Sequence, residues 1–257
     1  MSNTVSEDRF IRQTPVKELI SWINNKEERA IIIEGLHSSA KAFAISAAVE
    51  KGIHMVLLNN REDAVYCCGD LYKLMGSERV FFFPSSKNHN LKNAQKDSSH
   101  QVQRTAAINA VKNYLEGESK LQSIILVGYP HSFCELIINI KSLKSSILKI
   151  SRGDTLSHEF VKETLIAYSF ERVDFVSEPG QFALRGGLID LFSYSHNRPW
   201  RLDFFGDTVE KIKMFDIDTQ RSLEESESID IFPNIYETPQ NDQVDIFTFS
   251  KGESVLW

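Results

Sequence analysis

Residues 171–192 read Glu171-Arg-Val-Asp-Phe-Val-Ser-Glu-Pro-Gly-Gln-Phe-Ala-Leu-Arg-Gly-Gly-Leu-Ile-Asp-Leu-Phe192, and Trp200-Arg-Leu-Asp-Phe-Phe-Gly-Asp-Thr-Val-Glu210 follows shortly after. Short β-rich runs alternate here with turn residues such as Gly186-Gly187 and Gly206-Asp207. One helix, residues 157–168, precedes them. Strands are predicted at residues 173–176, 181–184, 188–192, 200–205 and 209–216. Together these segments predict an α+β domain over residues 151–232.

Strand periodicity divides residues 200–205 into two faces, because successive side chains of a strand point to opposite sides. One face is expected to pack in the core and carries Trp200, Leu202 and Phe204. The other face carries Arg201, Asp203 and Phe205. An aromatic ring beside an arginine on an otherwise polar face is a composition enriched at protein–protein hot spots.

Arg185 is the third candidate for this surface. It precedes Gly186-Gly187, where a bulge or a tight bend could turn its side chain toward the same face. The alternative is that a loop covers Phe205 and that both arginines, Arg185 and Arg201, only pair with Asp190 or Asp203. The residues alone leave these two interpretations open.

Upstream of this domain, residues 14–127 alternate between helical and β-rich runs, which indicates βαβ units and a largely parallel sheet. The first predicted strand is the apolar run at residues 30–33, and it is expected to be buried on both faces. A polar stretch, residues 85–100, is predicted to be a long exposed loop. The other predicted elements are helices from Thr14 to Ile23 and at 39–51, 61–75 and 102–115, and strands at 54–58, 80–83 and 123–127.

Residues 35–42, Gly35-Leu-His-Ser-Ser-Ala-Lys-Ala42, stand where a phosphate-binding P-loop would follow the first strand. Two positions depart from the motif G-x-x-x-x-G-K-[ST]. Ala40 replaces the second glycine, and Ala42 replaces the hydroxyl that would bind magnesium. A lysine at the exposed start of a helix is usually an ordinary solvated residue, and the more specific interpretation is that Gly35 and Lys41 are the remnant of a nucleotide site that no longer works.

Composition limits the remaining possibilities. The chain has 257 residues, 42% of them hydrophobic, and a net charge of -6, which argues against a surface devoted to DNA phosphates. The three cysteines show no metal-binding or disulfide spacing, and no hydrolase or metalloprotease motif occurs. No signal pattern or membrane-length apolar run is present. We expect a cytoplasmic protein with no catalytic residues and no metal or membrane site in this chain.

Three runs resemble the UvrB and Mfd families, the latter being the bacterial transcription-repair coupling factors. They follow the patterns R-V-D-x-V-x-E-P-G-x-F-A-x-R-G-G-x-x-D-[IL]-F, R-[LI]-[DE]-F-F-G-D and F-D-x-x-T-Q-R-S-L, the last being residues 215–223. The similarity is dense between residues 169 and 225 and looser across the first 150 residues. The loss of the P-loop pattern at Ala40 and Ala42 favours the Mfd family.

The resemblance implies a helicase-like α/β domain 1a at residues 1–150 with a degenerate P-loop. It also implies a UvrA-binding α+β domain 2 at 151–232 and the start of domain 1b at 233–257. The run from Glu253 to Trp257 is interpreted as the opening of a further strand, so a fragment of a longer protein is expected. In these families domain 2 docks on UvrA, and the UvrA contacts map onto Arg185, Arg201 and Phe205.

The function implied is that of an adaptor, which recruits UvrA and so links stalled RNA polymerase to nucleotide excision repair. RNA polymerase, DNA, ATP and magnesium would be bound by later domains of the full-length protein, an ATP-dependent DNA translocase. The alternative is a fragment of a UvrB-type excision-repair ATPase with a DNA-binding helicase module.

Overall fold

The computed structural model describes residues 17, 18, 21, 32–86, 98–235, 240–251 and 254–257. The chain divides into two compact units. The first unit comprises Met1–Pro84, Ala110–Phe133 and Ser250–Trp257, and the second comprises Ser85–Asn109 and Cys134–Phe249. In the part of the chain that is described, no helix is both long and apolar enough to cross a bilayer.

The first unit is built on a parallel sheet, as the alternation of helical and β-rich runs predicts. In spatial order its strands are β14 (Ser254–Leu256), β1 (Gly52–Leu57), β3 (Ser123–Gly128) and β2 (Val80–Phe83). Every residue of β3 is buried, which is why this strand reads as a continuous apolar run. Helices α1 (Ala40–Ala48) and α2 (Arg61–Met75) pack their buried residues against this sheet.

The predicted strand at residues 30–33 is not borne out at its described end. Ile32 and Ile33 lie outside any strand, and 87% of the Ile32 side chain is exposed. An apolar run becomes a buried strand only where a neighbouring strand pairs with it, and none of the described strands pairs with Ile32 or Ile33. Ala30, Ile31 and most of the predicted helix from Thr14 to Ile23 lie outside the described residues.

The long loop predicted at residues 85–100 is shorter in the structure, because the following helix begins before residue 100. Helix α3 (Ser98–Leu115) begins four residues before the predicted start at Val102, and residues 87–97 lie outside the described residues. The first turns of α3 bury polar side chains, including those of His100 and Arg104. Arg104 Nη2 lies 3.3 Å from the carbonyl oxygen of Glu135 and 3.6 Å from its carboxylate. Because this buried face is polar, hydrophobicity could not reveal it.

The second unit contains a six-stranded sheet. In spatial order its strands are β11 (Ser222–Ser226), β10 (Thr208–Phe215), β9 (Trp200–Phe205), β8 (Leu188–Leu191), β7 (Gln181–Arg185) and β6 (Glu171–Arg172). All pairs are antiparallel except β6 with β7. Two smaller antiparallel pairs join β4 (Ile137–Ile138) to β13 (Gln243–Val244) and β5 (Leu148–Ser151) to β12 (Ser228–Ile231). The described helices of this unit are the first part of α3, α5 (Ile140–Ser145), α6 (His158–Ala167), α7 (Ile246–Phe249) and the 3-10 helix Gln240–Asp242. Helix α4 (Pro130–Cys134) belongs to the first unit except for its last residue.

Four of the five strands predicted for this domain are confirmed within one or two residues, and one is wrong. No strand lies at residues 173–176, because β6 already ends at Arg172. The N–H of Val173 still donates a hydrogen bond to the carbonyl oxygen of Phe182, and the chain then leaves the sheet. Val173 and Val176 then pack with Ala183, Phe192 and Phe215 into a small cluster on the sheet. Their apolar character reflects this cluster, which a β-rich composition does not distinguish from a strand.

The main core lies on one face of the six-stranded sheet, where α6 covers it. Val161 and Leu165 of α6 are buried against Phe182, Leu202 and their neighbours. Ser157 caps the helix by accepting a hydrogen bond from the N–H of Phe160 at 3.1 Å. The opposite face carries the small cluster formed with Val173 and Val176, and the residues predicted for partner binding lie on this same face.

We expect the first unit to lose stability as the pH is lowered, because of His54. Its side chain is buried, and Trp257 Nε1 donates to its Nδ1 at 3.2 Å. Burial lowers the pKa of His54 from 6.5 to about 4, although a hydrogen bond with the backbone of Lys51 partly opposes the shift. Between pH 6.5 and 4 the unfolded chain therefore binds a proton that the folded chain does not.

The expected loss is about 2 kcal/mol of unfolding free energy by pH 5, and it saturates below pH 4. Urea denaturation at a series of pH values measures it. His54→Met should remove most of this dependence, whereas His37→Gln, which changes an exposed histidine, should leave it unchanged. An acid profile that is the same with and without His54 would contradict the assignment.

Candidate partner-binding surface

The strand register places the predicted residues on one face of the six-stranded sheet. Arg185 of β7 is paired with Leu188 of β8, which is paired with Asp203 of β9. Arg201 and Phe205 lie two residues to either side of Asp203, so all of them share its face. Leu202, on the opposite face, is fully buried in the main core. The division of β9 into two faces, as predicted from periodicity, is confirmed.

Phe205 is the most exposed large residue of this surface. It ends β9 and is 80% exposed, immediately before the turn at Gly206-Asp207. Gly206 has a φ of +60°, a conformation that favours glycine and lets β9 reverse directly into β10. The alternative in which a loop covers this ring is therefore wrong.

The turn at Gly186-Gly187 is a two-residue hairpin loop between β7 and β8, a tight bend as predicted. Gly187 accepts a hydrogen bond from the N–H of Phe204 at 2.8 Å, so the turn lies beside the end of β9. A Cβ atom on Gly187 would be 3.0 Å from the carbonyl oxygen of Phe204. The close approach thus requires a residue without a side chain here.

Arg185 is the last residue of β7, and its side chain does not pair with Asp190 or Asp203. Its Nη2 donates to the carbonyl oxygen of Asp174 at 2.8 Å, and its guanidinium lies 4.4 Å from the ring centroid of Phe175. A guanidinium has five N–H donors. Arg185 therefore retains donors for a partner.

Arg201 has a different environment, because its guanidinium is held by Asp190. Nε lies 2.6 Å from Oδ1 and Nη2 lies 2.8 Å from Oδ2, a forked pair in which the Asp190 side chain is 1% exposed and that of Arg201 16%. The group also lies 4.8 Å from the Phe215 ring centroid. The hydrogen bonds with Asp190 raise the pKa of Arg201 above its ordinary value, so it stays charged.

The two arginines therefore contribute differently to the surface. For Arg201 the alternative of an internal ion pair is confirmed, whereas for Arg185 it is wrong. Asp203, between them on the same face, is paired with Lys213 at 3.0 Å. Periodicity missed Phe175, which lies outside any strand and is 65% exposed. Its signal in the sequence was a large aromatic residue between Val173 and Val176, both of which pack inward.

The residues interpreted as a remnant nucleotide site, Gly35 and Lys41, lie in and just before the first turn of α1. Gly35 has a φ of +80°, and a turn at Ser38-Ser39 leads into the helix at Ala40. Lys41 is exposed in the first turn, whereas Ala42 is buried in the cluster formed with α2. The methyl group at the position of the magnesium-binding hydroxyl thus belongs to the hydrophobic core. Over the described residues, no group of three His, Cys, Asp or Glu side chains could hold a metal ion.

Comparison with known proteins gives a consistent pattern. Residues 148–236 match the family model described as the UvrB interaction domain. The transcription-repair-coupling factor of Bacillus subtilis is 29% identical over 228 residues, which cover 86% of this chain and 19% of that protein. The corresponding protein of Escherichia coli is 38% identical over 104 residues, covering 40% of this chain and 8% of its own length.

A second group of relatives carries a different name. The UvrABC system protein B of Gloeothece citriformis is 24% identical over 238 residues, covering 90% of this chain and 36% of that protein. The chain thus spans about a fifth of the Bacillus subtilis coupling factor and about a third of this protein B. The matched interaction domain contains all three predicted surface residues, Arg185, Arg201 and Phe205.

Proposed function

Because the chain is a UvrB-like module of the transcription-repair-coupling factor and UvrB family, with a role in DNA repair, we propose that it recruits UvrA through its second unit. The observation that carries the proposal is the exposed ring of Phe205, which shares a sheet face with Arg185 inside the matched interaction domain. Phe205 inserts into an apolar site of UvrA. Arg185 donates to carboxylate or carbonyl groups beside that site.

The exposure of Phe205 supports a binding role because an aromatic ring gains free energy when a partner removes it from water. Aromatic residues and arginine are enriched at the centre of interfaces and among their hot spots. Asp203 is paired with Lys213, so Arg185 and Lys211, which lies opposite Asp203 on the same face, make the charge that the partner meets positive. An acidic or carbonyl-lined site on UvrA complements it.

Arg201 contributes to the same surface chiefly by fixing its shape. Its fork holds Asp190, which joins β8 to β9 on this face. Nη1 lies 3.5 Å from the carbonyl oxygen of Gln220, the outer limit for a hydrogen bond, and is the part of the group most readily shared with a partner. We expect Arg201 to act mainly as a positioning residue and Arg185 as the direct donor.

In the full-length protein this module acts as an adaptor without catalytic activity of its own. Later domains bind RNA polymerase and DNA and use ATP and magnesium to translocate, so that UvrA is brought to the site of a stalled polymerase. The loss of the P-loop pattern at Ala40 and Ala42 supports an adaptor, since neither alanine supplies the glycine backbone or the hydroxyl that a nucleotide site needs.

A second candidate, a UvrB-type ATPase fragment, is favoured by the similarity to UvrABC system protein B along 90% of the chain. Calorimetric titration with magnesium and ATP separates the two functions. The adaptor predicts no heat of binding, and Lys41→Ala should behave like the unmodified chain. Saturable binding that Lys41→Ala abolishes would favour the ATPase.

The recruitment proposal is tested by immobilising the chain and measuring retention of purified UvrA, with and without ATP. Retention that is lost when Phe205 and Arg185 are both changed to alanine is the expected result. Tyr66→Ala, which changes an exposed aromatic residue of α2 in the first unit, is the matched control and should retain UvrA fully. If the unmodified chain retains no UvrA in either condition, the proposal fails.

A further inference from the structure

We propose that Phe175 is a second apolar anchor of the partner-binding surface and that it contacts the partner directly, together with Arg185 and Phe205. This inference rests on the proposed function and extends it to a residue outside the strand pattern. The partner site it implies has two apolar pockets, one on each side of a carboxylate or carbonyl group.

The position of Phe175 is set by its neighbours. Val173 and Val176 pack inward in the small cluster on the sheet, so the chain between them turns its side chains outward. Phe175 is 65% exposed, and the only other described phenylalanine with more than half of its surface exposed is Phe205. Both rings belong to the second unit, and Arg185, whose guanidinium contacts the ring of Phe175, lies on the same sheet face as Phe205.

Arg185 joins the two rings into one surface. Its guanidinium lies 4.4 Å from the centroid of the Phe175 ring, within the range of a cation–π interaction, and Nη2 is tied to the carbonyl oxygen of Asp174. These two contacts hold a flexible side chain in one orientation before any partner arrives. Such preorganisation reduces the entropy lost on binding.

Between β7 and β9 this face carries the partly buried side chain of Leu188, and the glycine turn lies beyond it. Gly186-Gly187 carries no side chains and lies beside the end of β9. Neighbouring strands are about 4.8 Å apart, so β7 and β9 are separated by roughly 10 Å. A standard interface covers about 800 Å² on each side, which extends well beyond this separation. One partner element can therefore contact both Arg185 and Phe205.

Charge complementarity defines the partner site further. Asp203 is paired with Lys213, and Arg201 is paired with Asp190, so their charges are compensated within the sheet. Arg185 makes no ion pair with a described side chain. The surface therefore presents the Arg185 guanidinium between two rings, and Lys211, opposite Asp203 on the same face, adds a second cation beside it. This arrangement fits an acidic group flanked by apolar side chains on UvrA.

The test is an equilibrium titration of UvrA with Phe175→Ala, with Phe160→Ala as the control. Phe160 is an exposed phenylalanine of α6 in the same unit, away from the proposed surface. Phe175→Ala should weaken binding about fivefold, and the control should bind like the unmodified chain. Phe175→Leu, which keeps an apolar side chain but removes the π face, should fall between them.

A double substitution separates direct contact from an effect transmitted through Arg185. With Arg185 already changed to alanine, Phe175→Ala should still weaken binding about twofold or more, because the ring contacts the partner itself. If it causes no further change, or if Phe175→Ala matches Phe160→Ala while Phe205→Ala weakens binding, the second anchor is refuted. Absence of binding by the unmodified chain would instead refute the proposed function. Urea denaturation of Phe175→Ala should give a midpoint close to that of the unmodified chain, which excludes unfolding as the cause.

Discussion

Replacement of Asp190 with alanine is expected to lower the unfolding free energy of the second unit by about 3 kcal/mol. The carboxylate is buried and makes both hydrogen bonds of the fork with Arg201, at 2.6 and 2.8 Å. Removing it leaves a largely buried guanidinium over the Phe215 ring without its counter-ion. Urea denaturation, followed by circular dichroism, measures the change.

Arg201→Ala should destabilise the unit by a comparable amount, since it leaves the Asp190 carboxylate buried without its partner. The matched control is Lys213→Ala, which breaks a more exposed ion pair with Asp203 and should cost about 1 kcal/mol or less. A loss below 0.5 kcal/mol for Asp190→Ala, roughly that of an ordinary surface change, would contradict the role of the pair. A consequence for binding studies is that weak binding by Arg201→Ala reports a lost contact only if the variant is folded.

Replacement of Phe182 with alanine is expected to have the largest effect on stability, about 4 kcal/mol. Phe182 is fully buried in the main core beneath α6, and its loss removes a large apolar surface and leaves a cavity. Phe205→Ala is the matched control, because it makes the same chemical change on the opposite face, where the ring is exposed. It should change the unfolding free energy by about 0.5 kcal/mol or less.

The contrast between these two phenylalanines tests the assignment of the sheet faces by a measurement that involves no partner. Both variants are compared by their denaturation midpoints in urea. Equal losses for Phe182→Ala and Phe205→Ala would mean that Phe205 is covered in solution, and the account of the surface would then be wrong.

Much of the second unit could be predicted from the sequence because strand periodicity depends on backbone geometry alone. A period of two places Leu202 inside and Phe205 outside whatever the surrounding chain does. The glycine turns at residues 186–187 and 206–207 end strands for an equally local reason, since glycine adopts the backbone conformations that tight turns need. The parallel sheet of the first unit follows from its alternating pattern in the same way.

The partners of the side chains could not be predicted, because they depend on register between strands. The pair of Asp190 with Arg201 exists because β8 and β9 place these residues opposite each other, and one residue of slip would remove it. The contact of Phe175 with Arg185 depends on a chain segment that leaves the sheet after Val173. At Ile32 and Ile33 the strand prediction failed for a related reason, since burial requires a paired neighbour and no described strand pairs with these two residues.

The central claim, that the exposed ring of Phe205 and the guanidinium of Arg185 on this sheet form the UvrA site, is tested most directly by one equilibrium titration. UvrA is titrated into the unmodified chain and into Phe205→Ala, Arg185→Ala and Phe160→Ala, each shown to be folded. Phe205→Ala and Arg185→Ala should each weaken binding by about 1 kcal/mol or more, a factor of about five, while Phe160→Ala binds normally. Affinities that are the same for all four proteins would contradict the claim.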